Sequence, residues 1–157
     1  MLWLPSKNVK THIEREILER LEELLDGDVS DQYAISYSKD IKAIVRQYLP
    51  DAEEVCRIEE VPEDAKTTWF RDDEYSDSIF TFVYSSKAGD YFIVVLYIFD
   101  VEGGSYFDIK ITNAKEYRKY VNKMVNEEVR KLKRTYKEKM DRIKERKEKL
   151  LSALTSH

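Results

Sequence analysis

Few residues in this chain could do chemistry, and their spacing narrows the set further. There are two histidines, His12 and His157, and one cysteine, Cys56. No H-E-x-x-H, paired-cysteine or His-x-His pattern occurs, so the usual zinc-binding frames are missing. A Ser–His–Asp site would have to use His12, which falls in the first turn of an amphipathic segment. An exposed helix residue is the simpler reading. Cys56 has only Arg57 as a basic neighbour and reads as a small half-buried residue rather than a nucleophile. None of the four glycines opens a helix in a phosphate-binding frame. What remains is Asp90, at the start of one candidate strand, and Asp108-Ile109-Lys110 on the next. Strand side chains repeat every two residues, so Asp108 and Lys110 share a face.

An acid on one strand and D-x-K on its hairpin neighbour, followed by a helix, resembles the core of the PD-(D/E)xK nuclease family. The resemblance implies that Asp90 and Asp108 hold Mg²⁺ and that Lys110 positions or activates the attacking water. Read from the residues alone, Asp90 stands at the tight-turn end of its strand and Asp108 pairs nearer the Asp100 end. Ten residues of strand span roughly 30 Å, so the two carboxylates are expected far apart. Asp108 and Lys110 then form the solvent face of an edge strand. The leading expectation is a protein that is not an enzyme and needs no cofactor. The metal-dependent nuclease is the alternative.

The elements that would position these residues can be read from periodicity. Thr11-x-x-Glu14 has the capping-box form, and Ile13, Ile17, Leu18, Leu21, Leu24 and Leu25 follow at helical spacing up to Gly27. This predicts a first helix over about residues 11–26. Tyr33–Tyr37 suggests a short strand. Ser38 begins a second amphipathic helix through Ile41, Ile44, Val45, Tyr48 and Leu49, which Pro50 stops. Residues 53–61 and 66–71 are ambiguous. Residues 78–86 are rich in Phe, Ile, Val and Tyr, and Tyr91–Val101 is almost wholly apolar, as a strand buried on both faces should be. Gly103-Gly104 predicts a two-residue hairpin turn. Residues 106–112 alternate, with Phe107, Ile109 and Ile111 on one face. The expected class is α+β: an antiparallel meander of three to five strands, covered by two N-terminal helices and followed by one long C-terminal helix. The division is an α+β domain over 1–112 and the helix over 113–157, its first part on the sheet and the remainder extended or docking.

That helix has no Gly or Pro from Asn113 to Leu154, with Asn113 as its cap. Its apolar residues repeat every 11 positions: Val121, Leu132, Ile143 and Leu154 form one series, and Val129, Met140 and Leu151 another. Val125 and Tyr136 begin a third, which Lys147 breaks. An 11-residue repeat means about 3.67 residues per turn and a nearly straight seam.

Charge is unevenly spread. The net charge is −4. Residues 51–77 hold 11 acids against 3 bases, and residues 115–149 hold 15 bases against 7 acids. The basic helix could track phosphates, but Glu138, Asp141, Glu145 and Glu148 interleave, so nucleic acid is a secondary expectation. In the acidic stretch, Trp69 and Phe70 with Asp72, Asp73 and Glu74 have the composition of a binding hot spot. Such a patch could also imitate a nucleic-acid backbone, as small inhibitors encoded by phage or other mobile elements do. A single cysteine allows no internal disulfide, no apolar run spans a membrane, and the start lacks a signal-peptide pattern. A cytoplasmic location is therefore expected. Together these features predict a protein–protein interaction module. Its contacts are Trp69, Phe70, Asp72, Asp73 and Glu74 on one patch, and Leu132, Tyr136, Met140, Ile143, Leu151 and Leu154 on the helix. A protein partner or a second copy, in coiled-coil fashion, would dock there.

Overall fold

The structure, a computed structural model, describes residues 7–27, 38–60, 78–86, 90–100 and 104–155. Among these the elements run α1 (Lys7–Gly27), α2 (Ser38–Tyr48), β1 (Ala52–Glu60), β2 (Ser78–Ser86), β3 (Tyr91–Asp100), β4 (Gly104–Asn113) and α3 (Ala114–Ser152), closed by a short 3₁₀ turn, Ala153–Thr155. The four strands form one antiparallel sheet in chain order, β1-β2-β3-β4. The class is α+β. The expected strand at Tyr33–Tyr37 and the segment 66–71 lie outside the described residues.

Sequence alternation sorts the sheet into two faces. Phe80, Phe82 and Tyr84 of β2, with Tyr91, Ile93, Val95 and Tyr97 of β3 and Phe107, Ile109 and Ile111 of β4, pack beneath α1 and α2. The helices contribute Ile17 and Leu21 from α1, and Ile41, Ile44 and Val45 from α2. The Tyr97 ring sits between Phe80 and Phe107, at centroid distances of 5.9 and 5.1 Å in tilted geometry. The opposite face holds Ile79, Val94, Leu96 and Ile98, and the start of α3 covers it with Tyr117, Val121 and Met124. Tyr117 stacks on Phe92 at 4.6 Å and 11°. Strand β3 therefore has both its residue sets buried, which explains its unbroken apolar run.

Four local readings change. Helix α1 begins at Lys7, a full turn before Thr11. Thr11 is inside the helix, and its hydroxyl donates back to the Lys7 carbonyl at 2.8 Å. The ambiguous stretch 53–61 is the edge strand β1, with a bulge where its register shifts between Glu54 and Cys56. Val55 is the extra residue. The bulge also moves Arg57 onto the face of Glu54, where normal alternation would set residues three apart on opposite faces. Arg57 donates to both Glu54 oxygens, at 2.7 and 2.9 Å, and lies 5.4 Å above the Phe82 ring. Finally, Gly104 pairs with Asp100, so three residues rather than two connect β3 to β4. Gly104 has φ +87°, a conformation that side chains on Cβ disfavour.

Asn113 does cap α3 as read. Its side-chain oxygen accepts from the Glu116 amide at 2.8 Å. This turns the chain straight from the last strand into the long helix.

Candidate functional site

The carboxylates singled out for metal chemistry do not come together. The β3–β4 register sets Tyr91 opposite Asn113 and Leu96 opposite Asp108. Asp90 and Asp108 are thus separated by six rows of the ladder, about 20 Å at ~3.3 Å per residue. Among the described residues, no group of three or more His, Cys, Asp or Glu could hold a metal ion. Asp108 and Lys110 lie opposite Leu96 and Val94, on the face that α3 covers. Both are half-buried beside that helix rather than on an open solvent face. His12 is exposed on α1 with Glu16 Oε1 3.0 Å from its Nε2. Cys56 is partly buried near Tyr117.

Asp108 instead serves the edge of the sheet. Its Oδ1 accepts from the following amide, Ile109 N, at 2.8 Å. Two residues on, the Ile111 amide donates to Glu14 Oε1 of α1, also at 2.8 Å. Alternate amides of a strand point to the same side, so both are outward donors of the edge strand. Carboxylates occupy them before another chain can. Glu14 was legible only as half of a capping box. Its real partner is 97 residues away, which no local pattern reveals.

Asp90 belongs to a different corner. Its amide and that of Tyr91 donate to Ser86 Oγ, at 3.0 and 3.4 Å. The Tyr91 hydroxyl donates to Asp51 Oδ1 at 2.6 Å. Burial, this hydrogen bond and the charges of Asp51 and Asp90 all push the Tyr91 pKa far above the ordinary tyrosine value. Tyr91 is therefore a neutral donor tying β3 to the α2–β1 turn, and it is no base at neutral pH.

No family model, no curated protein and no solved structure matches this chain.

The surface that stands out is the distal part of α3. Met124 is its last buried residue. Beyond it, Val125, Val129, Leu132, Tyr136, Ile143, Leu150, Leu151 and Leu154 are all exposed, with Leu132 at 69%, Tyr136 at 68% and Leu154 at 74%. Met140 is partly covered. The spacing is 4-4-3, three times over: Val121, Val125, Val129, Leu132, Tyr136, Met140, Ile143, Lys147, Leu151, Leu154. The first position of this line packs on the sheet. From Val125 the same line continues along the rest of the helix, its apolar side chains exposed except for the partly covered Met140. Leu132 and Tyr136, with Lys133, Thr135 and Lys139, line a shallow depression open to solvent. The predicted helix contacts therefore lie on one ridge. Trp69, Phe70, Asp72, Asp73 and Glu74 lie outside the described residues.

No described helix is long and apolar enough to cross a membrane.

Proposed function

We propose that this protein is a non-enzymatic interaction module that docks a protein partner through the free ridge of α3. One observation carries the reading: an apolar line begun in the protein's own core, broken at Lys147, runs on for more than two further 11-residue repeats with all but Met140 of its apolar side chains exposed. Single exposed leucines are ordinary on any surface. A continuous line of them on a helix is the pattern by which amphipathic helices dock into grooves. The acidic and aromatic patch of an inhibitor of a nucleic-acid-handling enzyme falls outside the described residues, so the arm alone supports the proposal.

The test compares the full chain with a triple variant, Leu132→Asp, Ile143→Asp and Leu151→Asp. Exposed substitutions of this kind leave folding stability nearly unchanged. Quantitative affinity capture from cells should recover proteins with the native chain and lose them with the variant, while the circular dichroism of the two agrees. Identical recovery by both would overturn the reading.

A further inference from the structure

The arrangement of charges about the ridge says what kind of groove would receive it. At 3.67 residues per turn, successive residues are about 98° apart, and the ridge covers an arc of about 65°. On the same geometry Lys133, Lys137 and Lys144 fall on one shoulder of the ridge, and Lys139 and Arg146 on the other. Lys147 is in the ridge itself. Of the four acids beyond Val129, Glu138, Asp141 and Glu145 lie about 130° or more from the ridge centre, toward the back of the helix. Only Glu148 stands on a shoulder. Beside the ridge, therefore, the interleaving that makes the sequence look balanced largely disappears, and the acids sit at the back of the helix among Arg134, Arg142 and Lys149. The apolar ridge is basic on both sides.

We propose that the ridge seats in an apolar groove of an acidic protein, whose rim carboxylates face Lys133, Lys137 and Lys144 on one side and Lys139 and Arg146 on the other. This rests on the docking reading and specifies its partner. Three other occupants fit less well. A second copy would bring basic shoulders together, with Glu148 the one acid on either shoulder of each copy beyond Val129, and a parallel pairing would set Lys147 against itself in the seam. An antiparallel pairing centred between residues 141 and 142 does align the ridge with itself, setting Lys147 against Tyr136, but the basic shoulders still meet. A phosphate backbone would satisfy the lysines and leave Leu132, Ile143 and Leu151 in water. A lipid surface asks for a broad apolar face with cations snorkelling from its margins, whereas this ridge is narrow and contains a lysine. Basic shoulders beside a narrow apolar line match a groove with an acidic rim.

The test uses the full-length chain and calcium-loaded calmodulin as the probe, an acidic protein with an apolar, methionine-rich groove. Comparison ligands are polyglutamate, duplex DNA and vesicles of phosphatidylserine and phosphatidylcholine. Calmodulin should bind at least about tenfold more tightly than any of these, and more weakly as salt rises. The charge-reversed variant Lys133→Glu, Lys144→Glu, Arg146→Glu should lose about tenfold or more in affinity. The apolar variant Leu132→Ser, Ile143→Ser, Leu151→Ser should lose binding altogether. Sedimentation should show a monomer.

Absence of calmodulin binding, or tighter binding to DNA or vesicles, would overturn the acidic-groove partner. Equal binding by the charge-reversed variant, or self-association through the arm, would overturn it too but leave docking through the ridge standing. Equal binding by the apolar variant would remove both.

Discussion

At the scale of single residues, the informative side chains turn out to be structural and long-range. Glu14 and Asp108 hold the outward amides of Ile111 and Ile109. Replacing Glu14 with Ala leaves the Ile111 amide without that partner, at a cost of about 1–2 kcal/mol. Urea denaturation should show the loss. Light scattering of the variant should also show more association than the native chain, because a strand edge has been reopened. The tyrosines make a second expectation. Burial drives the pKa of Tyr84 well above the ordinary tyrosine value, and the same holds for Tyr91. A raised folded pKa means the neutral form stabilises the fold in full below the unfolded pKa, near 10. That stability is lost as pH rises further, because the unfolded chain releases protons that the folded one keeps. For Tyr84 alone the slope is about 1.4 kcal/mol per pH unit above 10. Thermal unfolding from pH 9 to 11.5 should show the fall, and Tyr91→Phe should make it shallower.

At the scale of elements, the legible ones were those whose pattern is local and unbroken. The apolar run of β3 announces burial on two faces, and Asn113 with Glu116 announces the start of α3. Strand β1 was illegible for a physical reason. Its bulge at Val55 inserts a residue into the alternation, so Glu54 and Arg57 share a face and period two is lost. The separation of Asp90 and Asp108 was legible too, because a hairpin sets them toward opposite ends of the meander. The cover over Asp108 and Lys110 was not: their spacing fixes a common face, but no local pattern says that α3 returns across it. The arm offers an element-scale prediction. Lys147 is the one charge within the ridge, and Lys147→Leu completes the seam. At 0.5 M salt, where the Debye length is under ~5 Å and the basic shoulders are screened, the variant should self-associate in sedimentation equilibrium while the native chain stays monomeric.

At the scale of the whole molecule, stability is unevenly distributed. Strand β3 has neighbours on both edges and cover on both faces, whereas α3 has no buried residue beyond Met124. In proteins most helical stability comes from tertiary packing of an apolar face. Hydrogen exchange should therefore be slowest in β3 and fastest along residues 130–152, with a step near Met124. Slow exchange to the end of the helix in the isolated monomer would contradict this division of the fold.

The bond between Glu14 and Ile111 has a consequence for how the protein is made. Every described strand pairs with its neighbour in sequence, so no pairing within the meander closes more than the 17 residues between β1 and β2. The contact of α1 with β4 instead spans 97 residues and can form only when the last strand is in place. Until α1 docks, the growing sheet presents β4 with Ile111 unprotected. That edge is open to another chain until this contact forms. The guard of that edge is a helix synthesised well before the strand it protects.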